Sequence, residues 1–271
     1  MARRPILCPH CRRLIGSEEA SCSWCGASRS NPWWRLIGLT RGASDSDRVI
    51  KAILTANIIY FALSLVMSIK LDGSIGFLSP GRTSLFLLGA TGTFPIDRYG
   101  RVWTLLSANY LHGGILHIIF NLMALKQIAP WASNEFGASR MFSIYTLGGV
   151  IGYVVSYMAG VPFTIGASAA VCSLIGALLY YGKSRGGAYG SSVYREVSGW
   201  VISLFIFGLI FPGINNWAHG GGIIGGIFVG ALLGYNERRR ENHFDRALAL
   251  LCGLATVSVL GWALLGTFFY S

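Results

Sequence analysis

Residues 217–234 read Trp217-Ala-His-Gly-Gly-Gly-Ile-Ile-Gly-Gly-Ile-Phe-Val-Gly-Ala-Leu-Leu-Gly234. The stretch contains no Asp, Glu, Lys or Arg, and its one ionisable side chain, His219, stands near its start. As a helix it would rise about 27 Å, close to the ~30 Å hydrocarbon thickness of a bilayer. So many glycines would weaken a helix in water. In lipid, small residues four apart let two helix backbones approach closely. Gly222, Gly226, Gly230 and Gly234 share one such face. The segment therefore reads as a membrane helix packed tightly on a neighbour, with a polar group at one end.

Six further apolar segments flank it, at about 50–69, 115–132, 141–160, 167–183, 197–212 and 247–269. With 217–235 they make seven expected spans of an all-α polytopic membrane protein. The fourth and fifth are short and are expected to be enclosed by other helices. Composition agrees: 53% of residues are apolar and 12% charged, against about 25% charged in soluble domains. The net charge of +11 would suggest a nucleic-acid partner in a soluble chain. Here its placement explains it. Nine Lys and Arg precede or open the first span, up to Lys51. Lys126 and Arg140 lie at the far end of the second, Lys183, Arg185 and Arg195 follow the fourth, and Arg238, Arg239, Arg240 and Arg246 follow the sixth. The turns after the third and fifth spans and the C-terminal tail carry none, and the long first loop carries four. By the positive-inside rule the N-terminus is expected in the cytoplasm and the C-terminus outside. No nucleic-acid partner is expected. The first 48 residues lack the apolar core of a cleavable signal, so the first span is expected to act as the insertion signal. The expected location is a bacterial inner membrane.

Residues 1–30 read as a separate cytoplasmic unit, 31–48 as a linker and 49–271 as the membrane domain. The first unit contains Cys8-Pro-His-Cys11 and Cys22-Ser-Trp-Cys25, two C-x-x-C pairs ten residues apart. Four thiolates at this spacing suit tetrahedral Zn2+. Disulfides rarely persist in the cytoplasm, and so short a segment needs a metal to fold. A structural zinc on Cys8, Cys11, Cys22 and Cys25 is expected. The unit is similar to short zinc ribbons and could meet a cytoplasmic partner. Cys172 and Cys252 lie in apolar runs and read as packing residues.

Polar groups at membrane depth are functional candidates by default. The second span opens His112-Gly-Gly-Ile-Leu-His117-Ile-Ile-Phe-Asn121, the fourth opens Gly166-Ala-Ser168, and the sixth opens Trp217-Ala-His219. All three enter from the outer side in the expected topology, so His117, Ser168 and His219 sit at one depth. His117 and Asn121, four apart, share a helix face. Small residues continue below each group: Cys172 and Gly176 under Ser168, and the glycine face under His219. These let the fourth and sixth helices pack face to face and bring Ser168 to His219. A hydroxyl beside an imidazole is a nucleophile with its general base. The Ser168 N–H at a helix start, the Asn121 amide and the His117 ring could stabilise an oxyanion. No Asp or Glu shares that depth, so the reading is a dyad without a metal or organic cofactor for catalysis.

Together Trp103, His112-Gly-Gly-x-x-His117-x-x-x-Asn121, Gly166-x-Ser168 and Ala218-His219 with Gly222 and Gly226 resemble the rhomboid intramembrane serine proteases in order and spacing. The resemblance covers about residues 50–235. It implies a six-helix core with one added C-terminal helix. It also implies Ser168 as nucleophile, His219 as base, His117 and Asn121 as oxyanion donors, and Gly166 shaping the site. The implied substrates are single-span membrane proteins, entering from lipid beside the fifth span and cut near the outer end of their span. Four positions depart from the family pattern. Ala169 stands where glycine is usual, Cys172 where an aromatic often sits, Thr104 where Arg follows the tryptophan, and Ser133, with Glu135 nearby, where Glu is usual. Two other readings compete with the protease: a catalytically silent relative that binds or escorts membrane clients, and a channel using the histidines. A channel's polar groups should run through the bilayer, and these gather at one end.

Overall fold

The structure, a computed structural model, describes residues 45–211 except 72, 74 and 75, residues 213–270, and nearer the N-terminus residues 5–7, 14–16, 19 and 21. It divides into two compact units, residues 1–48 and 49–271. In the first, β1 (Pro5–Leu7) pairs antiparallel with β2 (Leu14–Gly16), Ile6 opposite Ile15. Cys8, Cys11, Cys22 and Cys25 lie outside the described residues.

The second unit is helical. After α1 (Asp45–Leu71) the chain forms three short helices, α2 (Arg82–Leu87), α3 (Thr93–Tyr99) and α4 (Thr104–Ser107), and a 3-10 turn at Ala108–Tyr110. Six long helices follow: α5 (Ile115–Phe136), α6 (Ala138–Met158), α7 (Ser168–Arg185), α8 (Gly187–Ile210), α9 (Asn216–Leu233) and α10 (His243–Tyr270). Among the described residues, six helices are long and apolar enough to cross a membrane: α1, α5, α6, α8, α9 and α10. The fold is that of an integral, multi-pass membrane protein.

The remaining long helix, α7, has 18 residues. It is the central one, packed by α5, α6, α8 and α9. Twelve of its residues, from Ala169 to Gly182, are buried. A helix walled in by protein need not be apolar toward lipid, which accounts for its milder hydropathy. The fifth span, expected to be short and enclosed at 197–212, is neither. As α8 it has 24 residues and buries only Gly190, Val193 and Val197. It extends ten residues further toward the N-terminus through a polar stretch that an apolar window does not capture. Its far half turns Ile202, Phe205, Ile206, Leu209 and Ile210 outward.

Glycines set the approach of the central helices. A side chain on Gly222 would collide with the Ala169 carbonyl, on Gly226 with the Ser173 carbonyl, and on Gly176 with the Ile223 carbonyl. Gly230 meets Ala177. Gly234, expected on the same face, instead ends α9 in a left-handed turn with φ 69° and open space around it. The junction has a third member: Gly152 of α6 lies against the Ala218 carbonyl and the Gly222 N–H, so α6 joins α7 and α9 at van der Waals range.

Arg140, read as a loop charge in the sequence, is the third residue of α6 and fully buried. Its guanidinium donates to the carbonyls of Arg239 at 2.8 Å and Arg240 at 2.9 Å, and to the Asp245 carboxylate at 2.9 Å. Glu241 accepts from the Ser139 N–H at 2.7 Å and the Arg140 N–H at 3.1 Å, capping the start of α6 from 102 and 101 residues away. These contacts fasten the start of α10 to the core.

Candidate active site

α5, α7 and α9 all begin at one end of the bundle, and their first turns meet there. Ser168 is the first residue of α7. Its Oγ lies 2.8 Å from Nε2 of His219 in the first turn of α9. The His219 Nδ1 is buried without a hydrogen-bond partner among the described residues. If Nε2 accepts the serine proton, Nδ1 carries the ring hydrogen and no carboxylate orients it, so the pair is a dyad. α7 starts without a side-chain cap. Its first backbone N–H groups, at the positive end of the helix, therefore have no side-chain acceptor at the serine.

His117 completes the cluster. Its Nδ1 accepts from the Gly113 N–H at 3.2 Å, which leaves the hydrogen of the neutral ring on Nε2. That Nε2 faces Gly166: a Cβ on Gly166 would lie 2.8 Å from it and 3.4 Å from Ser168 Oγ. Gly166 has φ 132°, a conformation costly for any other residue. The loop there is held twice, by the Gly166 N–H donating to the Ala108 carbonyl at 2.9 Å and by the Tyr153 hydroxyl donating to the Gly166 carbonyl at 2.6 Å. Asn121 sits one turn along α5 and donates to the His117 carbonyl at 2.8 Å, which occupies one of its two amide hydrogens. His112 is buried with its ring edge-on to His117, centroids 5.2 Å apart. Beside the cluster opens a cavity of about 570 Å³, lined by His117, Phe163, Thr164, Ile214, Asn215, Asn216 and Trp217 among others.

Three of the four unusual positions, and Glu135 near the fourth, find their places. The Ala169 methyl packs in a buried apolar cluster with Ala108, Tyr153 and Ala218. Cys172 is a buried free thiol facing Gly222. Thr104 donates to Thr91 Oγ1 at 3.0 Å within the first loop. That loop is held by Arg101 instead, which donates to the Phe86 carbonyl at 2.7 Å and the Leu87 carbonyl at 2.9 Å and lies 4.6 Å over both the Phe86 and Trp103 rings. Glu135 accepts from the Tyr189 hydroxyl at 2.7 Å, tying α5 to α8.

Sequence reading missed Tyr153, Asn215 and Arg101. Tyr153 is a tyrosine in an apolar run, and nothing in its spacing marks it. Asn215 stands one residue before α9, in the position of a helix cap, which was a readable signal. Arg101 precedes the tryptophan by two positions, a register no helix or strand period would single out.

Comparison with known proteins bears on the fold as a whole. The family model described as "Rhomboid domain" matches residues 99–236, just over half of the chain. The chain is 31% identical over 180 residues to "Rhomboid protease GluP" of Bacillus subtilis (strain 168), covering 66% of this chain and 35% of that protein. It is 32% identical over 160 residues to "RHOMBOID-like protein 4" of Arabidopsis thaliana, covering 58% and 40%. It is also 29% identical over 154 residues to "Inactive RHOMBOID-like protein 8" of the same plant, covering 54% and 42%. The chain thus spans roughly a third to a half of the length of the curated relatives it matches.

Proposed function

The chain belongs to the rhomboid family, and we propose that it is an intramembrane serine endopeptidase acting through Ser168 and His219. The observation that carries this reading is the 2.8 Å contact between Ser168 Oγ and His219 Nε2 at the start of two helices. The relative named a protease supports it as well. His219 Nε2 takes the hydroxyl proton as Oγ bonds to the scissile carbonyl carbon. The resulting oxyanion is met by the His117 Nε2–H, the N–H groups at the start of α7 and the free amide hydrogen of Asn121. The C–N bond then breaks, and the proton on His219 passes to the leaving amine. Water, giving a proton to the same imidazole, attacks the acyl-serine; the carboxylic acid departs and Ser168 regains its hydrogen. Gly166 keeps the space between His117 and the nucleophile open.

The substrates in this reading are single-span membrane proteins, cut near the outer end of their span. They enter from lipid past the exposed far half of α8 into the cavity of about 570 Å³. The chain lies in a bacterial inner membrane with its N-terminus in the cytoplasm. Cys8, Cys11, Cys22 and Cys25 hold a structural zinc in a unit that meets a cytoplasmic partner. The protease reading is tested on a model single-span substrate in vesicles. Native protein should cleave it and Ser168→Ala should not; equal cleavage by both refutes the assignment.

A second reading has a specific observation behind it. The chain is 29% identical to a relative named inactive, and Cys172, where the family resemblance implies an aromatic, packs against Gly222 one turn after His219. A client-binding protein without hydrolysis would retain the substrate equally well in native and Ser168→Ala forms and cleave it in neither.

A further inference from the structure

Asn215 is engaged at every polar atom beyond its own N–H. Its Nδ2 donates to Ser156 Oγ at 2.6 Å and to Thr164 Oγ1 at 3.0 Å. Its Oδ1 accepts from the Ala218 N–H at 3.1 Å, and its carbonyl accepts from the His219 N–H at 3.1 Å. Three elements therefore meet on one side chain. Ser156 belongs to α6. Thr164 belongs to the loop that leads two residues later into Gly166 and then Ser168, and it pairs backbone to backbone with Thr91 of the first loop, at 2.7 Å and 3.1 Å. Ala218 and His219 form the first turn of α9.

We propose that Asn215 is a positioning residue that sets the register between the base and the nucleophile. This inference rests on the protease reading above. α9 meets α6 and α7 largely through glycines in close backbone contact, which have no side chain to hydrogen-bond across the seam. At the His219 ring the Nε2 contact with Ser168 is the bond to be kept in register, and Nδ1 adds no second anchor, having no partner among the described residues. The two Asn215 donor bonds run from α9 to the loop that ends at Ser168 and to α6, so they fix where the first turn of α9 stops. Only asparagine meets both demands at that distance. Serine would cap the helix equally well, but its hydroxyl is too short to reach Ser156 and Thr164 while capping. Aspartate would cap and lacks the two donors.

Asn215→Ser separates the two roles, since it keeps the cap and removes the bridge. In native protein with intact Ser168 it should lower kcat about 10- to 100-fold, the cost of a displacement near 1 Å at a reacting pair, while the unfolding midpoint falls by no more than the loss of two hydrogen bonds predicts. Ser156→Ala combined with Thr164→Val removes the acceptors and should give the same kcat, with no further loss when Asn215→Ser is added. In protein labelled with 15N-histidine, the His219 Nε2 resonance, assigned by its loss in His219→Gln, should move toward the value of a ring without a hydrogen bond in Asn215→Ser. Native kcat in Asn215→Ser, or an unmoved His219 resonance, overturns the proposal. If the native chain cleaves nothing while the resonance still moves, the positioning role stands and the protease reading falls.

Discussion

Gly166 holds its α-carbon against the His117 ring at φ 132°, and both facts argue for glycine there. Gly166→Ala adds backbone strain and a methyl 2.8 Å from His117 Nε2. It should abolish detectable cleavage while helix content by circular dichroism stays native; retained activity would show that the ring yields freely. Tyr153→Phe is the milder probe of the same loop. It leaves the Gly166 carbonyl without the hydroxyl it accepts from, and should cost about 1–2 kcal/mol in unfolding measurements together with a reduced kcat. At this scale much was legible beforehand. A serine and a histidine opening two apolar helices, with small residues beneath both, already indicated a close pair. Tyr153 was illegible because its role depends on a carbonyl 13 residues ahead, and no local pattern encodes that.

Among the elements, the glycine face of α9 was readable from four-residue spacing, but which glycines bear the contact was not. Gly226 has the Ser173 backbone directly over it, whereas Gly220 has open space. Gly226→Ala should therefore force α7 and α9 apart and cost about 3 kcal/mol or more as overpacking. Gly220→Ala should be neutral or stabilising by up to about 1 kcal/mol from helix propensity. Thermal unfolding of the two variants in detergent checks the pair, and equal midpoints would sink the assignment of the face. The misplacement of α8 has a similar cause. Apolar windows detect lipid contact, and α8 continues beyond its apolar part through Gly187–Glu196 as ordinary helix.

Over the whole molecule, the last helix is joined to the core by a buried charge cluster. Arg140 and Asp245 both have fully buried side chains, and Arg239 reaches the second Asp245 oxygen at 2.8 Å. Removing Arg140 leaves Asp245 to Arg239 and the Asn242 N–H, and takes a charged donor from the carbonyls of Gly234, Arg239 and Arg240. Arg140→Met should cost about 3–5 kcal/mol and expose the connection between α9 and α10 to limited proteolysis; native resistance would show that α10 docks by apolar contact alone. At the other end of the chain, purified native protein should carry about one zinc ion per chain, the stoichiometry of a four-thiolate site. Cys8→Ser with Cys11→Ser should remove it, as read by elemental analysis. Zinc content unaffected by the substitutions would reject the site.

By itself the sequence determined that this chain lives in a membrane, roughly where its long helices run, and which polar groups stand at their ends. Those properties follow from hydrophobic length and residue periodicity, which are local. Tertiary structure alone decided that α7 is the central helix and α8 a peripheral one. It alone decided that Arg140 is an internal fastening, and that Asn215 and Tyr153 hold the loop and helix that carry Ser168 and His219. Each of these depends on which backbone carbonyl or hydroxyl a side chain meets across the bundle, a matter of packing between segments that composition and spacing leave open.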